Sequence, residues 1–122
     1  MDDMLKELTK KVVSFRDERD WHQFHNPKDL AVSLSIEAAE LLECFQWKNT
    51  EEVKELIEGD KRVGLQEEIA DVAMYLLLIC NETGIDLRDA ILDKMKKNEA
   101  KYPVSLCKGS SKKYNELREN SK

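Results

Sequence analysis

Four acidic side chains at helical spacing carry the chemistry this chain can do. Glu37 and Glu40 stand three apart in LAVSLSIEAAELLECF, and Glu68 and Asp71 stand three apart in LQEEIADVAMYLLLI. On a helix, residues three apart project from one face a turn apart, so each pair forms a two-carboxylate jaw. At about 100° per residue, Leu30, Leu34, Glu37, Leu41 and Phe45 fall in one apolar stripe, with Glu40 at its margin. Glu68 and Asp71 border the stripe of Leu65, Ile69, Val72 and Leu76, with Tyr75 on the same edge. Carboxylates on core-facing stripes are costly unless neutralised, and a divalent cation between facing jaws neutralises them together. All-oxygen ligation with no partnering histidine favours a hard ion, Mg²⁺, with Mn²⁺ as its substitute. One ExxE alone would read as a solvated face; two, one of them centred on a core stripe, do not. Glu43 and Glu67 point further from the stripes, so solvent is their better assignment, with contact to a metal-bound water as the alternative.

Helices must position these groups, and the sequence supplies their start and stop signals. Asp2 or Asp3 caps a first helix with apolar positions Leu5, Leu8, Val12 and Phe15, ending near Asp20. WHQFHNPKD breaks the pattern, because the residue before Pro27 is pushed away from helical backbone, and Asp29 is the expected cap of a helix running to about Gln46. Thr50 is expected to cap a short helix ending at Gly59. Asp60 is expected to open a long one to Thr83, stopped by Gly84. Asp86 starts the last helix, which Pro103 ends. With no period-2 alternation bounded by turn residues, the expected class is all-α: a four- to five-helix bundle protomer over residues 1–103, completed by oligomerisation. Residues 104–122 form a polar Gly/Ser/Lys-rich tail, ordered on contact with ligand or partner.

At 122 residues the chain is one domain, short enough for oligomerisation to add buried surface. A net charge of -5 argues against a nucleic-acid or membrane surface. No run approaches 18 apolar residues, and Met1 to Lys11 lacks an apolar export segment, so the expected location is cytoplasmic. Cys44, Cys80 and Cys107 are too far apart for a CxxC motif and are expected to be reduced, buried thiols.

The last helix carries the opposite anomaly. Leu87, Ile91, Lys94 and Asn98 share a stripe, placing an ammonium and an amide where a bundle should be apolar. Alone they read as a snorkelling lysine and a satisfied asparagine; beside an acidic cation cage they read as phosphate contacts. Trp21 and Trp47 sit at helix ends, where tryptophan serves as a packing lid, an interface anchor or a stacking surface. His22 and His25 lack the further ligands a zinc site needs, and His25 is assigned to base or phosphate contact. Two other readings stay open. One is an acidic interaction module whose inward carboxylates pair with Lys94 or Arg19 across an oligomer interface. The other is a di-iron bundle, which usually needs ExxH pairs that this chain lacks.

The phrases RDWHQFHNPKDL, ELLECFQWK, LQEEIADVAMYLL, DKMKKNEAKYP and KGSSKKYNEL, with the ExxE and ExxD pairs, resemble the MazG-like all-α nucleotide pyrophosphohydrolases and, within them, the dCTP pyrophosphatase subgroup. The likeness runs from about Leu5 to Leu117. It implies a helical protomer forming a dimer or a dimer-of-dimers tetramer, which uses Mg²⁺ to hydrolyse a deoxynucleoside triphosphate to monophosphate and pyrophosphate. It further implies metal ligation by Glu37, Glu40, Glu68 and Asp71, base contact by Trp21 and Trp47, and phosphate contact by Lys94 and Asn98. Tyr75, Tyr102 and His25 join as further substrate contacts. The chain departs from the pattern at Val12, where animal members tend to have a histidine.

Overall fold

In a computed structural model, which describes residues 3–109, every regular element is helical. The chain divides into two compact units, Met1–Ile85 and Asp86–Lys122. The first contains α1 (Met4–Glu18), a 3₁₀ turn (His22–Phe24), α2 (Pro27–Glu43), α3 (Thr50–Glu58) and α4 (Arg62–Thr83). The second contains α5 (Leu87–Lys101) and the short α6 (Val104–Cys107), which lies within the expected tail; residues 110–122 of that tail lie outside the described residues. No helix among the described residues is long and apolar enough to cross a membrane.

Local chemistry sets the boundaries. Asp3 caps α1, accepting from the Leu5 and Lys6 amides at 3.0 and 3.3 Å. The helix then closes in a Schellman turn: the Trp21 amide donates to the Arg16 carbonyl and the Asp20 amide to that of Asp17, with Asp20 left-handed at φ 54°. Two caps differ from expectation. Asn26, not Asp29, caps α2: the residue preceding proline is held extended (ψ 160°), and its side chain accepts from the Asp29 amide at 2.9 Å. Asn49, not Thr50, caps α3 in a capping box with Glu52, since an amide one position earlier reaches the third helical amide. The long helix opens at Arg62 without a side-chain cap, later than Asp60 suggested, and ends as expected at Gly84, left-handed at φ 71°. Asp86 caps α5, accepting from the Asp89 amide at 2.9 Å.

In the first unit α4 is the central helix, packed mainly against α2 and also against α1 and α3. Leu30 from α2, Leu56 from α3 and Leu65, Leu77 and Leu78 from α4 form its core. Two stripes are turned from where apolar spacing put them. On α1, Leu8 and Phe15 are exposed while Arg16 is buried at 4% exposure. On α4, Ile69 and Leu76 are exposed, whereas Glu68, Asp71, Val72 and Tyr75 are half-buried on the packed side. At Arg16, Glu68 and Asp71 a charged side chain takes the packed side. The cysteines are half-buried, short of the full burial expected.

Candidate active site

The two carboxylate jaws meet because α2 and α4 pack against each other. Leu30, fully buried, orients α2 so that Glu37 and Glu40, two to three turns later, face α4. One carboxylate oxygen from each of Glu37, Glu40 and Glu68 lies within 4.8 Å of the others, and all three side chains are half-buried. Oε2 of Glu37 and of Glu68 are each buried with no hydrogen-bond partner. A buried acceptor without a donor is costly, so an unpaired oxygen from each jaw is the signature expected of a cation site.

The electrostatics agree. Burial, then the Glu40 hydrogen bond and charge, then the charges of Asp71 and Glu68, push the Glu37 carboxyl up to about 7. The same causes, with Glu67 joining Glu40 and Asp71, raise Glu68. Asp71 is therefore part of the field at the cluster, although its oxygens lie outside the three-oxygen group. No lysine or arginine among the described residues forms an ion pair with Glu37, Glu40 or Glu68. Arg19 is occupied elsewhere: its guanidinium stacks 3.6 Å from the Phe15 ring centre and donates to the Phe15 carbonyl.

Of the other expected residues, the first unit brings His25 and Tyr75 together. The His25 ring lies 6.4 Å from that of Tyr75, centre to centre, one turn beyond Asp71 on α4. His25 Nδ1 is buried without a partner, and its pKa is lowered by burial and by the Arg16 charge. Trp21 meets Phe15 edge-on at 5.8 Å. Trp47 follows α2, 91% exposed and left-handed at φ 66°. A bulky aromatic rarely takes that conformation, and backbone strain of this kind collects at functional positions. Lys94, Asn98 and Tyr102 belong to the second unit; Lys94 and Asn98 lie on α5, none of whose side chains is buried, and Tyr102 follows it as the C-cap. Glu43 and Glu67 are exposed, as expected.

Sequence reasoning passed over Arg16 and Glu82, which form an ion pair of 2.5 Å. The signal was present. Arg16 falls on the stripe of Leu5 and Val12, a charge in a core register like Glu37.

Comparison with known proteins places the chain in a family. Residues 32–117, which include all four acidic residues, match the model of the MazG-like family. The chain is 40% identical over 114 residues to dCTP pyrophosphatase 1 of Mus musculus, covering 93% of this chain and 67% of the mouse protein. The Homo sapiens protein of that name gives the same identity and coverage. The crystal structure of a pyrophosphatase from Archaeoglobus fulgidus DSM 4304 superimposes with a TM-score of 0.76 at 48% identity, covering 84% of this chain and 95% of that one. The chain belongs to the MazG-like family, in its dCTP pyrophosphatase-like branch. Its enzyme class is that of the nucleoside triphosphate diphosphatases.

Proposed function

We propose that this enzyme is a Mg²⁺-dependent nucleoside triphosphate pyrophosphohydrolase that converts dCTP, or a 5-modified dCTP, to the monophosphate and pyrophosphate, and so cleanses the nucleotide pool of the cytoplasm. The observation that carries the reading is the convergence of Glu37, Glu40 and Glu68 with unpaired buried oxygens on both sides of the α2–α4 contact. Their donor set fits a hard divalent ion, and Asp71 supplies further negative charge. Mg²⁺ held there, or Mn²⁺ in its place, would offset the triphosphate charge and acidify the attacking water.

This chain's own groups account for the rest. The water attacks the α-phosphorus, the bond from that phosphorus to the bridging oxygen breaks, and pyrophosphate leaves with the bond electrons. One of the four carboxylates takes the proton from the water. Trp21 and Trp47 offer flat faces to the base, a sequence-tolerant contact, so discrimination falls to polar groups at the rim. Lys94 and Asn98 are assigned to the phosphates, and Tyr75, Tyr102 and His25 to further substrate contacts. With Val12 in the first helix, one edge contact is absent, and a pyrimidine preference with some tolerance at the 5-position is expected.

The test is pyrophosphate release over a panel of canonical and modified nucleotides with and without Mg²⁺. Metal-dependent turnover with dCTP or a 5-modified dCTP leading the panel supports the reading. A clear purine preference, or turnover indifferent to metal, defeats it. The same reading includes a homodimer or dimer of dimers: Val32, Ile36 and Leu42 on α2 are each more than half exposed, more apolar surface than a lone helix usually shows water. A monomer by sedimentation at micromolar concentration would exclude that part.

A further inference from the structure

Glu68, Tyr75 and Glu82 recur at intervals of seven along α4, so they lie nearly in line on one face of the helix. The first belongs to the carboxylate cluster. The last meets Arg16, the one charged residue buried among the described residues. Arg16 Nη1 donates to Glu82 Oε1 at 2.5 Å, and Arg16 Nε donates to Asp17 at 3.0 Å. His22 Nε2 stands 3.3 Å from the same Glu82 oxygen. Burial pushes the Glu82 carboxyl up, but the Arg16 hydrogen bond and charge, with His22, overcome that and leave it below the usual range.

An arginine–glutamate pair removed from water gains little over well-packed apolar residues of similar size, so its presence calls for a second role. The turn that follows α1 supplies one. The Trp21 amide is held by the Arg16 carbonyl at 3.1 Å, and the His22 side chain stands 3.3 Å from Glu82, an ion pair when the imidazole is protonated. The Trp21 bond is backbone and independent of the side chain at 16, so the ion pair acts on the 21–26 segment by fixing the end of α1 to α4 and by holding Glu82 beside His22. At the far end of the 3₁₀ turn, His25 rests against Tyr75 with Nδ1 buried and unpartnered. Leaving that atom unpaired costs about 1–3 kcal/mol, so the ring would not stay there unless the segment were braced elsewhere.

We propose that Arg16 and Glu82 are positioning residues: their ion pair anchors the 21–26 segment to α4, so that Trp21 and His25 are held for substrate, His25 against Tyr75 one turn beyond Asp71. This rests on the assignment of Trp21 and His25 to nucleotide contact. It identifies no new group at the reacting atoms; the pair acts through the segment it braces.

The experiment separates positioning from stability. Arg16→Met combined with Glu82→Leu replaces the ion pair with apolar bulk and preserves the fold, whereas Glu82→Gln alone leaves the buried guanidinium with Asp17 as its charged partner. The full chain is assayed with dCTP and Mg²⁺, and the nuclear Overhauser contact between the His25 and Tyr75 rings is followed by NMR on histidine-labelled protein. The double variant is expected to keep the wild-type melting temperature and Mg²⁺ midpoint, to lose the ring contact, and to raise KM about tenfold with kcat within about twofold, since uniform binding is what it removes. A purely structural role predicts KM returning to normal along with stability, and that result overturns the proposal. A lost ring contact with unchanged KM overturns it too. Trp21→Ala then locates the fault: if it is equally silent, the assignment of the segment to substrate has failed, and if it raises KM, the brace has.

Discussion

Glu37→Gln tests the carboxylate cluster by two readouts that move in opposite directions. In the metal-free protein the Glu37 carboxyl is raised from 4.5 to about 7, by burial first and by Glu40, Asp71 and Glu68 after it. Below pH 4.5 the group is protonated in both folded and unfolded chains. Between there and about 7 the folded chain holds the extra proton, so stability falls as pH rises through that window, and above it the whole penalty is present. Such a displacement corresponds to ~3 kcal/mol, and solvent screening at the half-open cluster reduces it to ~1 kcal/mol. A neutral amide removes the penalty at high pH and changes nothing at low pH. Glu37→Gln should therefore melt ~4 °C above wild type at about pH 8 without metal and together with it at about pH 4. Hydrolysis with Mg²⁺ should fall by about two orders of magnitude or more, because one ligand is gone. Calorimetry with EDTA and a pyrophosphate assay measure the two effects, with Glu43→Gln as the control on an exposed carboxylate. A variant that is no more stable at high pH, or that keeps near-normal turnover, refutes the reasoning.

Mg²⁺ affinity, measured by titration calorimetry, should strengthen as pH rises through about 7, because binding must displace the Glu37 proton; an affinity flat between about pH 6 and 8 would contradict this. Trp47→Gly should stabilise the fold by about 1 kcal/mol, by relieving a left-handed backbone at φ 66°, while raising KM for every base about fivefold; stability and binding moving together would count against the stacking role. Leu30→Ala should cost about 3 kcal/mol in urea unfolding, since the side chain is wholly buried and its loss leaves a cavity between α2 and its neighbours; a cost under about 1 kcal/mol would show that the site collapses freely.

The helical class and the order of the long helices were legible because capping residues, Pro27, Gly84 and Pro103 punctuate the chain, and punctuation is local chemistry. The caps misread were near misses of one to three residues. At Asn26 and Asn49 an amide side chain competes with a neighbouring acid or hydroxyl for the same orphan N–H groups, and backbone conformation decides between them. The carboxylate cluster was legible for a different reason: Glu37 occupies a position that apolar periodicity reserves for leucine. That signal is only as good as the stripe it interrupts. On α2 and the turn after it the stripe was right, since Leu30 is buried and Leu34, Leu41 and Phe45 are half-buried. On α4 nearly every face is apolar, so periodicity could not select one. Its packed side runs through Glu68, Tyr75 and Glu82, and Ile69 and Leu76 are left in water.

That rotation explains why the Arg16–Glu82 pair escaped notice while Glu37 did not. A charge stands out against a stripe only when the stripe has been drawn correctly. Spacing alone put Phe15 inward on α1, where Arg16 in fact lies. Once α4 turns Glu68 toward α2 to complete the three-oxygen cluster, the heptad interval carries Glu82 to the same side, and an unpaired carboxylate there would be as costly as the ones the cluster gathers for a cation. Arg16 supplies the countercharge, and its burial follows from that need rather than from any apolar preference. Two solutions to one electrostatic problem thus meet on α4: a carboxylate cluster shared with α2 and an ion pair made with α1. Among the described residues no basic side chain pairs with Glu37, Glu40 or Glu68 while Arg16 pairs with Glu82, and that contrast is why we read the first as a candidate cation site and the second as a brace.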